Sequence, residues 1–216
     1  KLQDLQFEAG SVASPFAGYN GSRSNTEGLI DLTKSTNLTL NTPTAMTYDS
    51  TGQLDYDGTD DYIDLGNYAP IKLGFHFSLE FVVKPELDKW MYFFHKGYGA
   101  NNALAWGRHS SSDNWFFSTY ISGAYQNSYM GTATVDKYCH LVATYDGANL
   151  KFYENGILKA TVGTTHQMMD TNTSAGIGGP DRYWNGEIPV AKVYNKVLST
   201  EEVVSNFKAY KNRFNI

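Results

Sequence analysis

The chain has 216 residues, 17 basic and 22 acidic, for a net charge of −5; 41% of residues are hydrophobic, 15% aromatic and only 18% charged. That apolar content excludes global disorder, and the low charge with 20 glycines argues against long amphipathic helices. The absence of any basic stripe argues against a nucleic-acid groove. Cys139 is the only cysteine, which rules out an intrachain disulfide and a cysteine-based metal cluster; in its apolar run it reads as a small buried hydrophobe. No stretch approaches the ~18 apolar residues of a membrane span, so membrane insertion is not expected. No signal-peptide pattern opens the chain at Lys1.

Residues 1–53 are polar and irregular, and read as an N-terminal segment with edge strands at 29–32 and 38–40, part of the same domain as a core over 54–216. Asn20, Asn37 and Asn172 stand in Asn-x-Ser/Thr acceptors, which matter only in a eukaryotic secretory setting. Leu54 and Tyr56 alternate ahead of an Asp57-Gly58 turn and a strand at 62–65. Over 75–83, Phe75, Phe77, Leu79, Phe81 and Val83 share one face, with His76, Ser78 and Glu80 on the other, and Pro85 ends the strand. Strands at 91–95 and 115–121 flank a Gly/Asn/Ser-rich loop. A meander follows over 140–145, 150–153 and 157–162, joined by Asp146-Gly147 and Asn155-Gly156, dipeptides suited to tight hairpins. After a short glycine-flanked strand and another at 186–194, the chain ends in a helix. Ser199 to Glu202 forms a capping box, and Val203, Phe207, Tyr210 and Phe214 make one apolar stripe. Lys208, Lys211 and Arg213 fall on its polar face.

Three segments resemble the laminin G-like, concanavalin A-like jelly roll. They are LDYDGTDDYIDLG at 54–66, FSLEFVVKP at 77–85 with HLVATYDGANLKFYENGILKATV at 140–162, and WNGEIPVAKVYNKVLSTEEVVSNF at 184–207. The resemblance implies an all-β, antiparallel jelly-roll β-sandwich with a C-terminal α-helix. The ending LSTEEVVSNFKAYKNRFNI at 198–216 is similar to domains in structural proteins of tailed bacteriophages. It implies a virion location as a capsid decoration, fibre or tail component, with other virion proteins or copies of itself as partners and host cell-surface glycan as a further one. The alternative it leaves open is a carbohydrate-binding adhesion module of a viral or bacterial surface protein, extracellular or on the cell surface.

The chemistry of an enzyme is thin. Retaining glycoside hydrolysis needs two carboxylates ~5 Å apart, and no alternating acidic motif supplies them. Arg108, His109, Arg182 and Tyr183 could furnish a lyase, but the lyase signatures of such folds are missing, so no catalytic residue is expected. Asp57, Asp60, Asp61 and Asp64 crowd one turn with oxygens suited to Ca²⁺, Asp60 and Asp61 foremost; the plainer reading has Asp57 and Asp60 accepting backbone N–H groups within the turn. Sugars stack on exposed aromatic faces, and Tyr98, Trp106, Tyr125 and Tyr183, flanked by Gly, Asn or Ser, are the expected glycan-binding residues.

Overall fold

The structure, a computed structural model, describes residues 39–41, 47–48, 54–67, 74–97, 103–110, 113–168, 172–179 and 181–216. The strand expected at 29–32, and Tyr98, lie outside the described residues. In chain order the elements are β1 (Thr39–Asn41), β2 (Thr47–Tyr48), β3 (Leu54–Asp57), β4 (Tyr62–Gly66), β5 (Phe77–Pro85), β6 (Met91–Lys96), β7 (Ala103–His109) and β8 (Asn114–Ile121). They continue with β9 (Ala124–Met130), β10 (Cys139–Tyr145), β11 (Asn149–Glu154), β12 (Ile157–Gly163), β13 (Ala175–Ile177), β14 (Asn185–Tyr194) and α1 (Thr200–Phe214). Two antiparallel sheets face each other, ordered β1-β4-β13-β6-β7-β8-β9 and β12-β11-β10-β5-β14-β3-β2. This is a jelly-roll β-sandwich with a C-terminal helix.

Alternation along β5 explains the second sheet. Phe77, Leu79, Phe81 and Val83 turn into the core, while Ser78 and Glu80 turn out. Phe75, expected on the inner face, is 42% exposed, because the ladder with β10 begins only at Phe77. The β11–β12 hairpin closes on Asn155 (φ 51°) and Gly156 (φ 76°), the left-handed pair that a two-residue turn matched to strand twist requires.

The stretch expected as a loop after β6 contains β7, and a second hairpin strand, β9, follows β8. Leu104 and Trp106 alternate into the core from β7. Gly107 permits it to lie against β6: a Cβ there would sit 1.8 Å from the Met91 carbonyl oxygen. Ser122 (φ 52°) and Gly123 (φ 83°) turn β8 into β9 and fix the register Tyr120↔Tyr125 and Phe116↔Tyr129.

The helix lies on the outer face of the second sheet. Its capping box is formed: Glu202 N–H donates to Ser199 Oγ at 3.2 Å, and Ser199 N–H to the Glu202 carboxylate at 2.9 Å. Val203 and Phe214 are buried, and Phe207 and Tyr210 pack half-buried against His140. Beneath the helix, the fully buried Glu80 carboxylate accepts from His140 Nε2 (2.9 Å), Asn206 Nδ2 (3.1 Å) and the Tyr194 hydroxyl, with Lys192 at 3.6 Å. These partners hold the Glu80 carboxyl below its usual range even though burial alone would raise it. Glu80 therefore anchors a helix and is closed off from solvent.

Candidate functional site

With the helix over one outer face, the outer face of the other sheet is the place to look for a ligand. Its inner face is given by Met91, Phe93, Leu104, Trp106, Trp115 and Phe117, all in the core. Alternation then sends Tyr92 of β6, His109 of β7, Phe116, Ser118 and Tyr120 of β8, and Tyr125, Asn127 and Tyr129 of β9 outward. Ring contacts follow that assignment. Tyr92 meets Phe116 at 5.5 Å, His109 meets Tyr129 at 5.5 Å, and Tyr120 meets Tyr125 at 4.8 Å between centroids. Trp90, just before β6, packs on His109 at 4.6 Å, and the Arg182 guanidinium lies 3.6 Å over the Trp90 ring. Arg182 is tethered there by its carbonyl, which accepts from Tyr92 N–H at 2.8 Å. Toward the other side of the sheet, Tyr62 of β4 meets Tyr183 at 6.2 Å.

This face combines rigid rings with polar groups. Tyr125 is 49% and Tyr129 47% exposed, with exposed Asn127 between them on the same side of β9. The two tyrosines are four residue steps apart along the strand, about 13 Å at ~3.3 Å per residue. His95 is buried among outward-facing positions near Gly176, and burial with the adjacent Lys96 lowers its pKa to about 4, so it is neutral at pH 7.

The Asp57–Asp61 turn is a separate feature. Asp57 Oδ1 accepts from Thr59 N–H (2.7 Å) and Asp60 N–H (3.4 Å), and Asp61 Oδ2 accepts from Asp57 N–H (3.2 Å). The acceptors are thus Asp57 and Asp61, where Asp57 and Asp60 were expected. One carboxylate oxygen from each of Asp57, Asp60 and Asp61 falls within 4.8 Å of the others, so the turn gathers what an extended chain would have splayed apart. Burial, with the neighbouring carboxylates adding to it, raises Asp61 to about 6.

Comparison with known proteins fixes the family. The profile described as concanavalin A-like lectin/glucanases superfamily, in its laminin G form, matches residues 57–204. The chain belongs to the concanavalin A-like lectin/glucanases superfamily. Among solved structures, folds similar to it include domain 4 of AbnA, a GH43 extracellular arabinanase from Geobacillus stearothermophilus, in complex with arabinotriose. The TM-score is 0.65 at 19% identity over 87% of this chain and 95% of that one. The CBM40 of the Ruminococcus gnavus IT-sialidase, bound to α2,3-sialyllactose, gives 0.59 at 17% identity over 72% and 95%. The botulinum neurotoxin serotype D binding domain gives 0.66 at 13% identity over 89% of this chain, which spans 51% of that one. No curated protein sequence matches the chain.

Within this superfamily fold the four expected sugar-binding aromatics separate. Tyr125 and Tyr183 lie on the open outer face, at its two sides. Trp106 does not: it is 0% exposed, wedged among Phe81, Phe93, Phe117 and Phe152 at 5.1–6.4 Å. The glycine beside it marks a close backbone approach and not an exposed loop. Sequence reading missed Trp90, Tyr92 and Phe116 as members of the face. The signal for Tyr129 was present in the alternation of Tyr125, Asn127 and Tyr129 after Ser122-Gly123.

Proposed function

We propose that the chain is a carbohydrate-binding module of an extracellular or surface protein, acting by binding and not by catalysis, with the outer face of the β1–β9 sheet as its ligand surface. The observation that carries this reading is the pair Tyr125 and Tyr129, rigid half-exposed rings about 13 Å apart with the Asn127 amide between them. Rings bind the apolar faces of sugars and the amide bonds their hydroxyls, so the spacing suits an oligosaccharide lying along β9 better than a single sugar. The arabinotriose and sialyllactose complexes of two similar folds support the same class of ligand. The comparisons favour this reading over a virion structural role and bring no support to the latter.

The test is a glycan array followed by calorimetry on the best ligand, including arabino-oligosaccharides and sialyllactose. Wild-type binding weakened about tenfold or more, roughly 1.4 kcal/mol, by Tyr125→Ala or Tyr129→Ala is the expected result. An array without binding, or affinity indifferent to both substitutions, overturns the assignment.

A further inference from the structure

At one side of the sandwich the edge strand of the first sheet, β9, runs beside the edge strand of the second, β12. Between them lies a cleft of about 480 Å³, within the size range of small-molecule sites. Its floor is the end of the core: Phe117, Leu150 and Met168. Its walls carry Thr119, Gln126, Ser128, Thr164 and Thr165.

The placement of those polar groups is unusual. Inward positions of β8 run Trp115, Phe117, then Thr119; the paired inward positions of β9 run Met130, Ser128, then Gln126. The inner faces of a sandwich are apolar by rule, and here Thr119, Gln126 and Ser128 interrupt that rule at the cleft before Ile121 resumes it. Among the described residues none of the Thr119, Gln126 and Ser128 side chains has a hydrogen-bond partner in the chain. Thr119 is buried, Ser128 half-buried and Gln126 exposed, so this row faces the mouth of the cleft, and a local break in a pattern kept elsewhere marks a working surface.

The cleft is also built to hold its shape. The buried Tyr145 donates its hydroxyl to the His166 carbonyl at 2.7 Å and lies 3.2 Å from that of Thr164. Thr164 N–H donates to the Ala148 carbonyl at 2.8 Å, and Met168 N–H to that of Gly74 at 3.1 Å. A wall fixed in advance spares a ligand the entropy of ordering it. Finally, the lining includes no Asp, Glu, Lys or Arg, and His166, its one ionisable side chain, is exposed to solvent. A charged ligand entering it would lose hydration with no permanently charged partner in return.

We propose that this cleft is a second binding site, separate from the outer face, for an uncharged N-acetylated sugar. The sugar hydroxyls and amide bond Thr119, Gln126 and Ser128, and the acetyl methyl covers the floor of Phe117 and Met168. An unmodified neutral hexose would leave that floor wet, and a uronic or sialic acid would bring an unpaired charge.

Calorimetry and ligand-observed NMR with methyl glycosides of N-acetylglucosamine, glucose and glucuronic acid test the assignment. The acetylated glycoside should bind at least tenfold more tightly than either of the others. Ser128→Leu, which fills the cleft, should abolish that binding, and Thr119→Val, which removes one hydroxyl without changing shape, should weaken it severalfold; thermal melts confirm folding of both. Tyr129→Ala should leave it unchanged. Equal affinity for the acetylated and plain sugars overturns the proposal, as does no binding at all. Binding lost in Tyr129→Ala but kept in Ser128→Leu moves the sugar to the outer face, which overturns the cleft and leaves the proposed function standing.

Discussion

Glu80→Ala tests how the helix is held over the outer face of the second sheet. The substitution deletes a fully buried carboxylate that binds His140, Asn206 and Tyr194, with Lys192 nearby. Three donors lose their acceptor, and Lys192 its counter-charge, under the helix. Breaking a buried, hydrogen-bonded charge pair costs about 3–5 kcal/mol. For a domain of this length that converts to a fall in Tm of about 6–20 °C. Glu80→Gln keeps an acceptor oxygen for the bonds while losing the charge, and should cost clearly less. Chemical denaturation with parallel calorimetric melts measures both. The linkage has a definite sign. The folded carboxyl is held below its ordinary value of 4.5, so its contribution is present above that pH and is lost as pH falls below it. The wild-type advantage over Glu80→Gln should therefore shrink in acid. Stability within about 1 kcal/mol of wild type for Glu80→Ala would refute the reasoning.

Other substitutions separate core from surface. Trp106→Ala should cost about 3–5 kcal/mol by leaving a cavity among four phenylalanines, while glycan affinity of the folded protein, measured well below its Tm, stays unchanged. A selective loss of binding with intact stability would return Trp106 to the surface. His95 is held near pKa 4 against 6.5 in its ordinary state, so the unfolded chain takes up the proton first and stability falls as pH drops from about 6.5 to 4. That amounts to about 3 kcal/mol in full. The stability difference between wild type and His95→Asn should shrink by that amount over the window, a comparison that cancels the opposite slope from the raised Asp61; a constant difference would contradict the burial argument. Calcium at the Asp57–Asp61 turn is checked by melting with millimolar CaCl₂: a rise in Tm that Asp60→Asn abolishes supports the ion, and no rise removes it.

What could be read from the chain was whatever local chemistry dictates. The alternation of Phe77, Leu79, Phe81 and Val83, the Asn155-Gly156 turn and the Ser199–Glu202 capping box each encode their geometry within a few residues, and each is found where expected. β9 was not legible, because its inward positions Gln126 and Ser128 are polar and break the period-two signal. That departure is intelligible only once the cleft is seen. Trp106 misled for a related reason: neighbouring Gly107 looks like a loop residue, whereas it answers the Met91 carbonyl of the adjoining strand. The outer face is assembled from four segments distant in sequence, and no single window holds Trp90, His109, Tyr129 and Arg182 together.

The central claim is that sugar binds across Tyr125 and Tyr129. The most direct measurement is ¹H–¹⁵N NMR of the labelled chain titrated with the best oligosaccharide from the array. The account predicts saturable shifts concentrated on Tyr120, Tyr125, Asn127 and Tyr129 and on the Trp90 indole, and their loss in Tyr129→Ala. Shifts confined to the helix face around Lys208 and Lys211, or none at saturating ligand, would contradict it.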